Sequence, residues 1–405
     1  MLCQFTFRNY RSYRDEAELS MQATPMKEFE RSLIVCPDGQ GFLPVAAVYG
    51  PNAGGKSNLL EALDYVRSAV ARPIRLLSAS ADTAEGDRPS IPRCSAFGFD
   101  DVSAAEPTEF ELYYRVGDHE YRYVLSVHAD EIMSEGLWRR KLGASRTAML
   151  FEREDTKVEL GPTLRKLVTA ARFNPSLPYL SFLCINFDAP VVQEAASWFL
   201  DSVFLNYNSS YLERMLEQML DEGDSREVTR FLRAVDVRID GFRVERAPEW
   251  RGQRVFVRHE VGGKAYELRL SEESAGTQKL MGLAAYLMTA LERGGTVVVD
   301  ELDAKLHPKL LRYVILLFKD PEVNKSGAQL IFSSQDVSTM RNDVFRRDEI
   351  WFAARGEGEA SQLWSLADIH EANGNLVSKN AAFDKQYLSG RYGADPYLTR
   401  IEEWD

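Results

Sequence analysis

The chain has 405 residues, of which 45% are hydrophobic, and its formal net charge is −12. This length predicts two or three folding units of roughly 100–200 residues each. The net negative charge argues against a protein that binds nucleic acid over its whole surface. No apolar run approaches the roughly 20 residues needed to cross a bilayer, and the N-terminus lacks the pattern of a signal peptide. We therefore expect a cytoplasmic protein that does not enter a membrane.

The four cysteines lie far apart in the sequence without a CxxC pair, and the five histidines do not cluster with them. This spacing argues against a zinc site and against a disulfide framework. We interpret each cysteine as a small buried hydrophobic residue.

The first elements predicted along the chain are a strand pair, a buried strand and a helix. Residues 5–21 alternate apolar and polar side chains, which is typical of a strand that turns at Asn9–Tyr10 and returns. The apolar run LPVAAVYG then predicts a buried strand that ends in a tight loop. Residues 57–71 predict a helix, because their leucines and valines fall on one side.

The middle of the chain changes pattern twice. Residues 72–106 are rich in loop-forming residues. The alternating stretches at residues 110–116, 121–129 and 157–160 then predict strands, with a hairpin turn at Gly117–Asp118. Residues 163–235 are predicted to be mostly helical, and no heptad pattern lasts long enough for a long coiled coil.

The last third of the chain predicts strands, one helix and a parallel sheet. Residues 241–270 predict strands with a turn at Gly262–Gly263, and a helix is predicted over residues 277–292. Three buried strands then follow, with the sequences TVVVD, QLIFSS and EIWFAA, and a helix separates the first two. This alternation of strand and helix indicates a parallel sheet.

These elements divide the chain into three parts. Residues 1–72 and 241–405 are predicted to form the two halves of one α/β nucleotide-binding unit. Residues 73–240 are predicted to be an insertion, with a β lobe followed by a helical arm.

The sequence GPNAGGKS at residues 50–57 fits the phosphate-loop pattern G-x-x-x-x-G-K-[ST]. The glycines let backbone N–H groups wrap around phosphates, and the following helix directs its positive N-terminal end at them. Lys56 is predicted to reach the β- and γ-phosphates, and the hydroxyl of Ser57 is predicted to ligate Mg²⁺. The predicted nucleotide-binding residues are Gly50, Pro51, Asn52, Ala53, Gly54, Gly55, Lys56, Ser57 and Asn58.

The strand at residues 296–300 delivers two carboxylates, Asp300 and Glu301, at its C-terminal end. Ligands bind at this end of the strands in open α/β sheets. Asp300 is predicted to hold Mg²⁺, and Glu301 is predicted to polarise the attacking water. An exposed acidic turn is the alternative, which the phosphate loop disfavours. We therefore predict an ATP-hydrolysing enzyme with ATP and Mg²⁺ as its ligands.

A serine and a glycine open the helix that precedes the acidic strand, within the sequence SAGTQKL. A helix start of this kind can bind a second anion. The alternative is an ordinary helix cap that contains a glycine.

The order GPNAGGKS, a long insertion, SAGTQKL and VVVDELDAKLHPKLL resembles the ABC-type head of the SMC, RecF and OLD ATPases. The C-terminal stretch NAAFDKQYLSGRYGADPYL is similar to the ending of small bacterial members linked to phage resistance and abortive infection. The resemblance implies an α/β fold, an ABC-type P-loop ATPase head split by a mixed β and helical insertion.

In that family two heads pair and sandwich two ATP molecules. The resemblance therefore implies that Ser274, Ala275, Gly276 and Thr277 form a signature that faces the partner's nucleotide. It also implies that His307, in the sequence LHP, lies in a loop that crosses the dimer interface. A local role at the start of a helix is the alternative for His307.

The sequence departs from the family pattern in two places. Gln335 stands where the family usually has a switch histidine that contacts the γ-phosphate. Glutamine can donate a hydrogen bond to phosphate but cannot carry a proton, so we expect Gln335 to act at the γ-phosphate with slow turnover. Between Ser57 and Val192 there is no glutamine for the loop that senses Mg²⁺ in the family.

We expect an ATPase that dimerises on ATP and senses or regulates within an anti-phage defence system. The resemblance implies a separate effector, a nuclease or toxin, and leaves open DNA or a phage component as the trigger and oligomers larger than the homodimer. A RecF- or SMC-like ATPase of DNA repair or chromosome maintenance is the main alternative. A transporter's nucleotide-binding subunit and a scaffold that binds ATP without hydrolysing it are the others.

Overall fold

The computed structural model describes residues 1–79, 90–168, 172–206, 225–235, 239–246, 253–371 and 374–394. Its strands are, in chain order, β1 (Leu2–Arg8), β2 (Ala17–Ser20), β3 (Ile34–Val35), β4 (Gly41–Phe42), β5 (Val45–Tyr49), β6 (Thr108–Val116), β7 (His119–His128), β8 (Glu131–Lys141), β9 (Thr147–Glu154), β10 (Lys157–Leu160), β11 (Val203–Asn206), β12 (Gly241–Arg246), β13 (Gln253–Val261), β14 (Lys264–Arg269), β15 (Thr296–Asp300), β16 (Gln329–Ser333), β17 (Ile350–Arg355) and β18 (Ser361–Ser365).

Eight α-helices are described in the same residues. They are α1 (Lys56–Ala79), α2 (Asp101–Ala105), α3 (Tyr179–Asn186), α4 (Pro190–Asp201), α5 (Ser225–Ala234), α6 (Ala275–Arg293), α7 (Pro308–Lys319) and α8 (Phe383–Leu388). Within the described ranges, no helix is long and apolar enough to span a membrane.

A six-stranded sheet carries the segments that the sequence singled out. Its strand order is β11-β15-β16-β5-β17-β18, and every neighbouring pair is parallel except β17 with β18. All five residues of β5 are buried, as expected for a parallel strand covered on both faces. Because β16 lies between β15 and β5, the C-terminal ends of these three strands lie side by side.

A seven-stranded antiparallel sheet joins the start of the chain to residues 108–160, in the order β10-β9-β8-β7-β6-β1-β2. Phe5 and Phe7 of β1 pair with Leu112 and Phe110 of β6, and all four side chains are buried. The predicted division at residue 72 therefore falls inside α1, and strands from both sides of it share this sheet.

Two apolar clusters cover the two faces of β5. Ala46 and Val48 belong to the cluster that includes the buried faces of α1, α3, α4 and the seven-stranded sheet. Val45, Ala47 and Tyr49 belong to the cluster that includes α6 and α7. This division follows the two-residue period of a strand, in which successive side chains point to opposite faces.

The first helix is longer than the sequence predicted. It begins at Lys56 and continues to Ala79, with Pro73 inside it. A proline removes one backbone hydrogen bond and normally ends or kinks a helix, so the prediction stopped at residue 71. Val70 and Ile74 are buried in the first apolar cluster, and this packing favours a helix that continues past the proline.

The helical prediction for residues 163–235 was wrong near residue 165 and near residue 205. Leu164–Lys166 form only a 3₁₀ turn, and Val203–Asn206 form β11, which pairs with the edge of β15. Apolar runs of this length do not by themselves distinguish a buried strand from a helix. The helix predicted over residues 210–223 lies outside the described residues. The hairpin turns at Gly117–Asp118 and Gly262–Gly263 are confirmed, whereas β8 and β9 were not predicted.

Candidate nucleotide-binding site

The loop between β5 and α1 is shaped by its glycines. Gly50 has a φ of +147°, and a Cβ atom placed on it would lie 2.0 Å from the carbonyl oxygen of Ala353. A Cβ atom on Gly54 would lie 2.5 Å from the same oxygen. Ala353 belongs to β17, the neighbour of β5, so only glycine at both positions lets the loop pack against that strand.

The end of the same loop is supported by residues far away in the sequence. A Cβ atom on Gly55, whose φ is +111°, would lie 2.5 Å from the hydroxyl of Ser361. The hydroxyl of Tyr13 donates to the carbonyl of Gly55 at 3.3 Å, and the side-chain amide of Asn58 donates to the hydroxyl of Ser12 at 2.7 Å. The start of α1 is thus fixed by β18 and by the turn between β1 and β2, which contains Ser12 and Tyr13.

Lys56 is 7% exposed and folds back over the loop. Its ammonium donates to the carbonyl oxygens of Gly50 at 2.8 Å and Pro51 at 3.0 Å. Burial lowers the pKa of Lys56, while Asp300 is the strongest of the nearby carboxylates that raise it. The first N–H groups of α1 have no partner within the helix, so the lysine and the helix start together form a concentrated positive site.

Ser333, at the end of β16, joins the two acidic residues at the end of β15. Its hydroxyl donates to Oδ1 of Asp300 at 2.5 Å and accepts the backbone N–H of Glu301 at 2.7 Å. Glu301 has a left-handed backbone with a φ of +53°, and its side chain is exposed. The serine therefore sets the direction in which both carboxylates leave the strand.

Asp303 connects the loop after β15 with the segment after β16. Its Oδ2 accepts the backbone N–H groups of Gln335 and Asp336, both at 3.1 Å. The side chain of Gln335 remains exposed. Gln335 thus follows the strand that lies between the acidic strand and the phosphate loop, and its backbone is fixed while its amide is accessible.

The phosphate loop with its buried lysine follows β5, the paired carboxylates follow β15, and β16 lies between these two strands. Residues 45–341 match the family described as "AAA domain, putative AbiEii toxin, Type IV TA system". The chain belongs to this family. The predicted AAA ATPase of the abortive-infection type is confirmed by this match, and the predicted α/β class is confirmed by the parallel sheet and the helices on its faces.

Solved structures similar to this AAA domain include three SMC heads, each 13% identical to it and each matched over 90% of this chain. The SMC head bound to the C-winged helix domain of ScpA has a TM-score of 0.46 with 97% of that chain covered. The SMC head domain from Thermotoga maritima has a TM-score of 0.41 with 98% covered. The head with an extended coiled coil, bound to the C-terminal domain of ScpA from Pyrococcus furiosus, has a TM-score of 0.43 with 96% covered. No curated protein matches significantly.

The predicted signature of the AAA domain lies at the start of α6. Ser274 is the N-cap, and its hydroxyl oxygen accepts the backbone N–H of Thr277 at 3.1 Å. Ser274 and Ala275 are exposed, and Gly276 and Thr277 are partly exposed. In the described parts of the chain, no hydrogen bond joins these four residues to the phosphate loop of the same copy.

His307 of the AAA domain is the N-cap of α7. Its Nδ1 accepts the backbone N–H of Lys309 at 3.2 Å, and its ring is exposed. This is the local role that the sequence offered as the alternative. The role of His307 at a dimer interface stays a prediction, with which its exposed ring is compatible.

Several residues near the site were not singled out from the sequence. They are Tyr13, Lys279, Asp303, Ser333 and Ser361. Lys279, Asp303 and Ser333 lie within or beside the motifs that were recognised, so their proximity in sequence was a usable signal. Tyr13 and Ser361 reach the loop only through the pairing of distant elements, which no local pattern encodes.

Proposed function

We propose that the AAA domain binds and hydrolyses MgATP at a site completed by a second copy of the chain. The observation that carries the proposal is the alignment of three strand ends, which brings Lys56, Asp300 with Glu301, and Gln335 to one edge of the sheet. Ligands bind at this edge in open α/β sheets.

The residues present fit ATP and Mg²⁺. The glycine loop leaves no room for Cβ atoms at Gly50 and Gly54, so its backbone can approach phosphates closely. Oxygen donors suit Mg²⁺, and Ser57 with Asp300 would hold it. Oδ1 of Asp303 is buried without a hydrogen-bond partner in the described part of the chain, and a water on the metal would satisfy it. Mg²⁺ would neutralise charge on the phosphates during transfer.

The chain's own residues divide the chemistry among them. Lys56, which now donates to two carbonyl oxygens of its own loop, turns to the phosphate oxygens when nucleotide binds. Glu301, exposed at the strand end, orients the attacking water and accepts its proton. The amide of Gln335 donates a hydrogen bond to the γ-phosphate and transfers no proton.

Completion by a second copy is supported by the position of Ser274. It caps a helix of 19 residues whose positive end is exposed. Such a helix start suits a γ-phosphate presented by another copy. We therefore propose that Ser274 to Thr277 of one copy contact the nucleotide held by Lys56 of its partner.

The first prediction concerns hydrolysis. Glu301→Gln keeps the side-chain volume but removes the base, so we expect hydrolysis to fall by about 100-fold or more and an ATP-bound dimer to accumulate. Size-exclusion chromatography with light scattering, with and without MgATP, measures this. The control is Lys56→Ala in the same background, which should remain monomeric. A Glu301→Gln protein that turns over ATP like the parent would contradict the proposal.

The second prediction concerns the shared site. Lys56→Ala and Ser274→Arg proteins should each be inactive alone, because each lacks one half of every site. Their mixture should regain activity at the site formed by Lys56 of one copy and Ser274 of the other. Steady-state phosphate release from the mixture is the measurement, and a mixture without activity would contradict the shared site.

The family description names a toxin and a toxin–antitoxin system. This description supports the expected role, and we propose that the ATPase regulates a separate effector, a nuclease or toxin, in anti-phage defence. Cells that express the chain with its genomic neighbours should then restrict phage plaques, and Lys56→Ala should abolish the restriction. Equal plaque counts with and without the parent chain would contradict this role.

A further inference from the structure

Lys279 is a buried cation that the proposed chemistry does not use. It lies in the second turn of α6 and is 4% exposed. Its ammonium donates to the backbone carbonyl oxygens of Glu301 at 3.1 Å, Leu302 at 3.4 Å and Ala304. The side chain therefore ties the signature helix to the loop that begins with the proposed catalytic base.

The loop has an unusual backbone at both of its ends. Glu301 and Lys305 are left-handed, with φ values of +53° and +63°. A residue other than glycine in this conformation is held there by its surroundings. Three carbonyl oxygens of the loop converge on one ammonium through hydrogen bonds that are buried or partly buried, where carbonyl groups normally have a donor. Lys279 is thus part of what holds Glu301 in its left-handed conformation.

Burial lowers the pKa of Lys279 to about 8, while the carboxylates of Asp303 and Glu301 raise it. A buried ammonium is costly to desolvate unless it is well paired. An apolar replacement would leave the three carbonyl oxygens without this donor, while the helix itself would keep its backbone hydrogen bonds.

The start of α6 also touches the far end of the loop. A Cβ atom on Gly276 would lie 3.2 Å from the carbonyl oxygen of Lys305. Asp303, in the middle of the loop, holds the backbone of Gln335 and Asp336. A shift of the helix start would therefore be transmitted to Glu301 and to the segment that carries Gln335.

We propose that Lys279 is a positioning residue that couples the two composite sites of a dimer. This inference rests on the proposed function, in which the signature of one copy contacts the partner's nucleotide and Glu301 of that copy acts on its own nucleotide. The side chain of Lys279 holds both the signature helix and the loop that begins with Glu301. Engagement of the signature by the partner's ATP thus places Glu301 for hydrolysis in the other site.

The direct test compares Lys279→Met with Lys279→Arg and with Lys325→Met. Methionine keeps the length of the side chain without its charge, arginine keeps the charge and donors, and Lys325 is an exposed lysine before β16. We expect Lys279→Met to lower turnover by roughly 10- to 100-fold, because small misplacements of a catalytic group have effects of that order. Fluorescent ATP should bind to the monomer with unchanged affinity, arginine should restore part of the turnover, and Lys325→Met should match the parent.

A mixing experiment separates coupling from a merely structural role. In a mixture of Lys56→Ala and Ser274→Arg proteins, the first copy supplies only its signature and the second supplies Lys56 and Glu301. Adding Lys279→Met to either copy should lower the recovered activity. An effect confined to one of the two copies would overturn the coupling, because Lys279 would then serve one element alone.

The remaining outcomes are equally decisive. Unchanged turnover in Lys279→Met, or a loss of turnover together with loss of ATP binding by the monomer, would overturn the proposal. If the parent mixture shows no rescue, the shared site fails, whereas the single variants still report whether Lys279 positions Glu301. If Lys279→Met does not fold, Lys279→Gln replaces it, because its shorter amide can donate to at most two of the three carbonyl oxygens, and turnover should still fall below that of the parent.

Discussion

Gly50 shows how a single residue determines the shape of the phosphate loop. Its backbone has a positive φ, and Ala353 of the neighbouring strand approaches it closely. Both facts require the absence of a side chain. The glycine is therefore needed for the packing of the loop against β17, in addition to its proposed role in nucleotide binding.

Replacing this glycine should separate nucleotide binding from overall folding. In Gly50→Ala the Cβ atom would lie 2.0 Å from the carbonyl oxygen of Ala353, so the loop must move away from β17. We expect ATP affinity to fall by about 10-fold or more, since the N–H groups lose their alignment. Isothermal titration calorimetry measures the affinity, and Gly39→Ala is the control, because Gly39 also has a positive φ, of +81°, but nothing within 4 Å of its Cβ position. Equal affinities in both variants would contradict the argument.

Gln335 stands at one of the two places where the sequence departs from the pattern of the SMC, RecF and OLD ATPases. Its backbone N–H is held by Asp303, so the exposed side chain can be exchanged without loss of that contact. We expect Gln335→His to raise turnover by a few-fold, up to about 10-fold, because histidine can donate to the γ-phosphate and also carry a proton. Steady-state phosphate release measures the change, and an unchanged rate would show that this position does not limit turnover.

The two large sheets are joined by the side chain of Gln329, the first residue of β16. Its Oε1 accepts the backbone N–H of Leu2 at 2.6 Å, and its Nε2 donates to the carbonyl oxygens of Leu2 at 3.0 Å and Leu43 at 3.2 Å. Gln329 is fully buried. One side chain thus satisfies three backbone groups where the start of β1 meets the six-stranded sheet.

Removal of this amide should destabilise the fold more than its volume suggests. Gln329→Leu leaves the three backbone groups buried without partners, at about 1–3 kcal/mol for each. We expect the free energy of unfolding to fall by about 3–5 kcal/mol, partly relieved by relaxation. Urea denaturation measures it, and Gln362→Leu on the exposed face of β18 is the control. A loss below about 1 kcal/mol would show that water replaces the amide.

The whole molecule carries a net charge of −12. Bringing two such copies together is opposed by long-range repulsion, which salt screens over a Debye length of about 10 Å at 0.1 M. Dimer formation by the Glu301→Gln protein with ATP should therefore strengthen as salt rises from about 0.05 to about 0.3 M. Sedimentation velocity measures the dimer fraction, and dimers that weaken with salt would indicate an interface dominated by opposite charges.

The sequence alone determined the motifs on which the proposed chemistry depends and most of the strands. The phosphate loop, the acidic pair and the parallel strands are local patterns, because chain neighbours fix them through backbone geometry and side-chain period. Local patterns did not predict the edge strand at Val203–Asn206 or the continuation of α1 past Pro73. Packing against distant elements overrides local preference at both places, so only the tertiary structure shows them. The contacts of Lys279 with the loop after β15 likewise join segments about 22–25 residues apart in the chain. Only the folded arrangement therefore shows that one side chain of α6 contacts the loop that begins with Glu301, the proposed base.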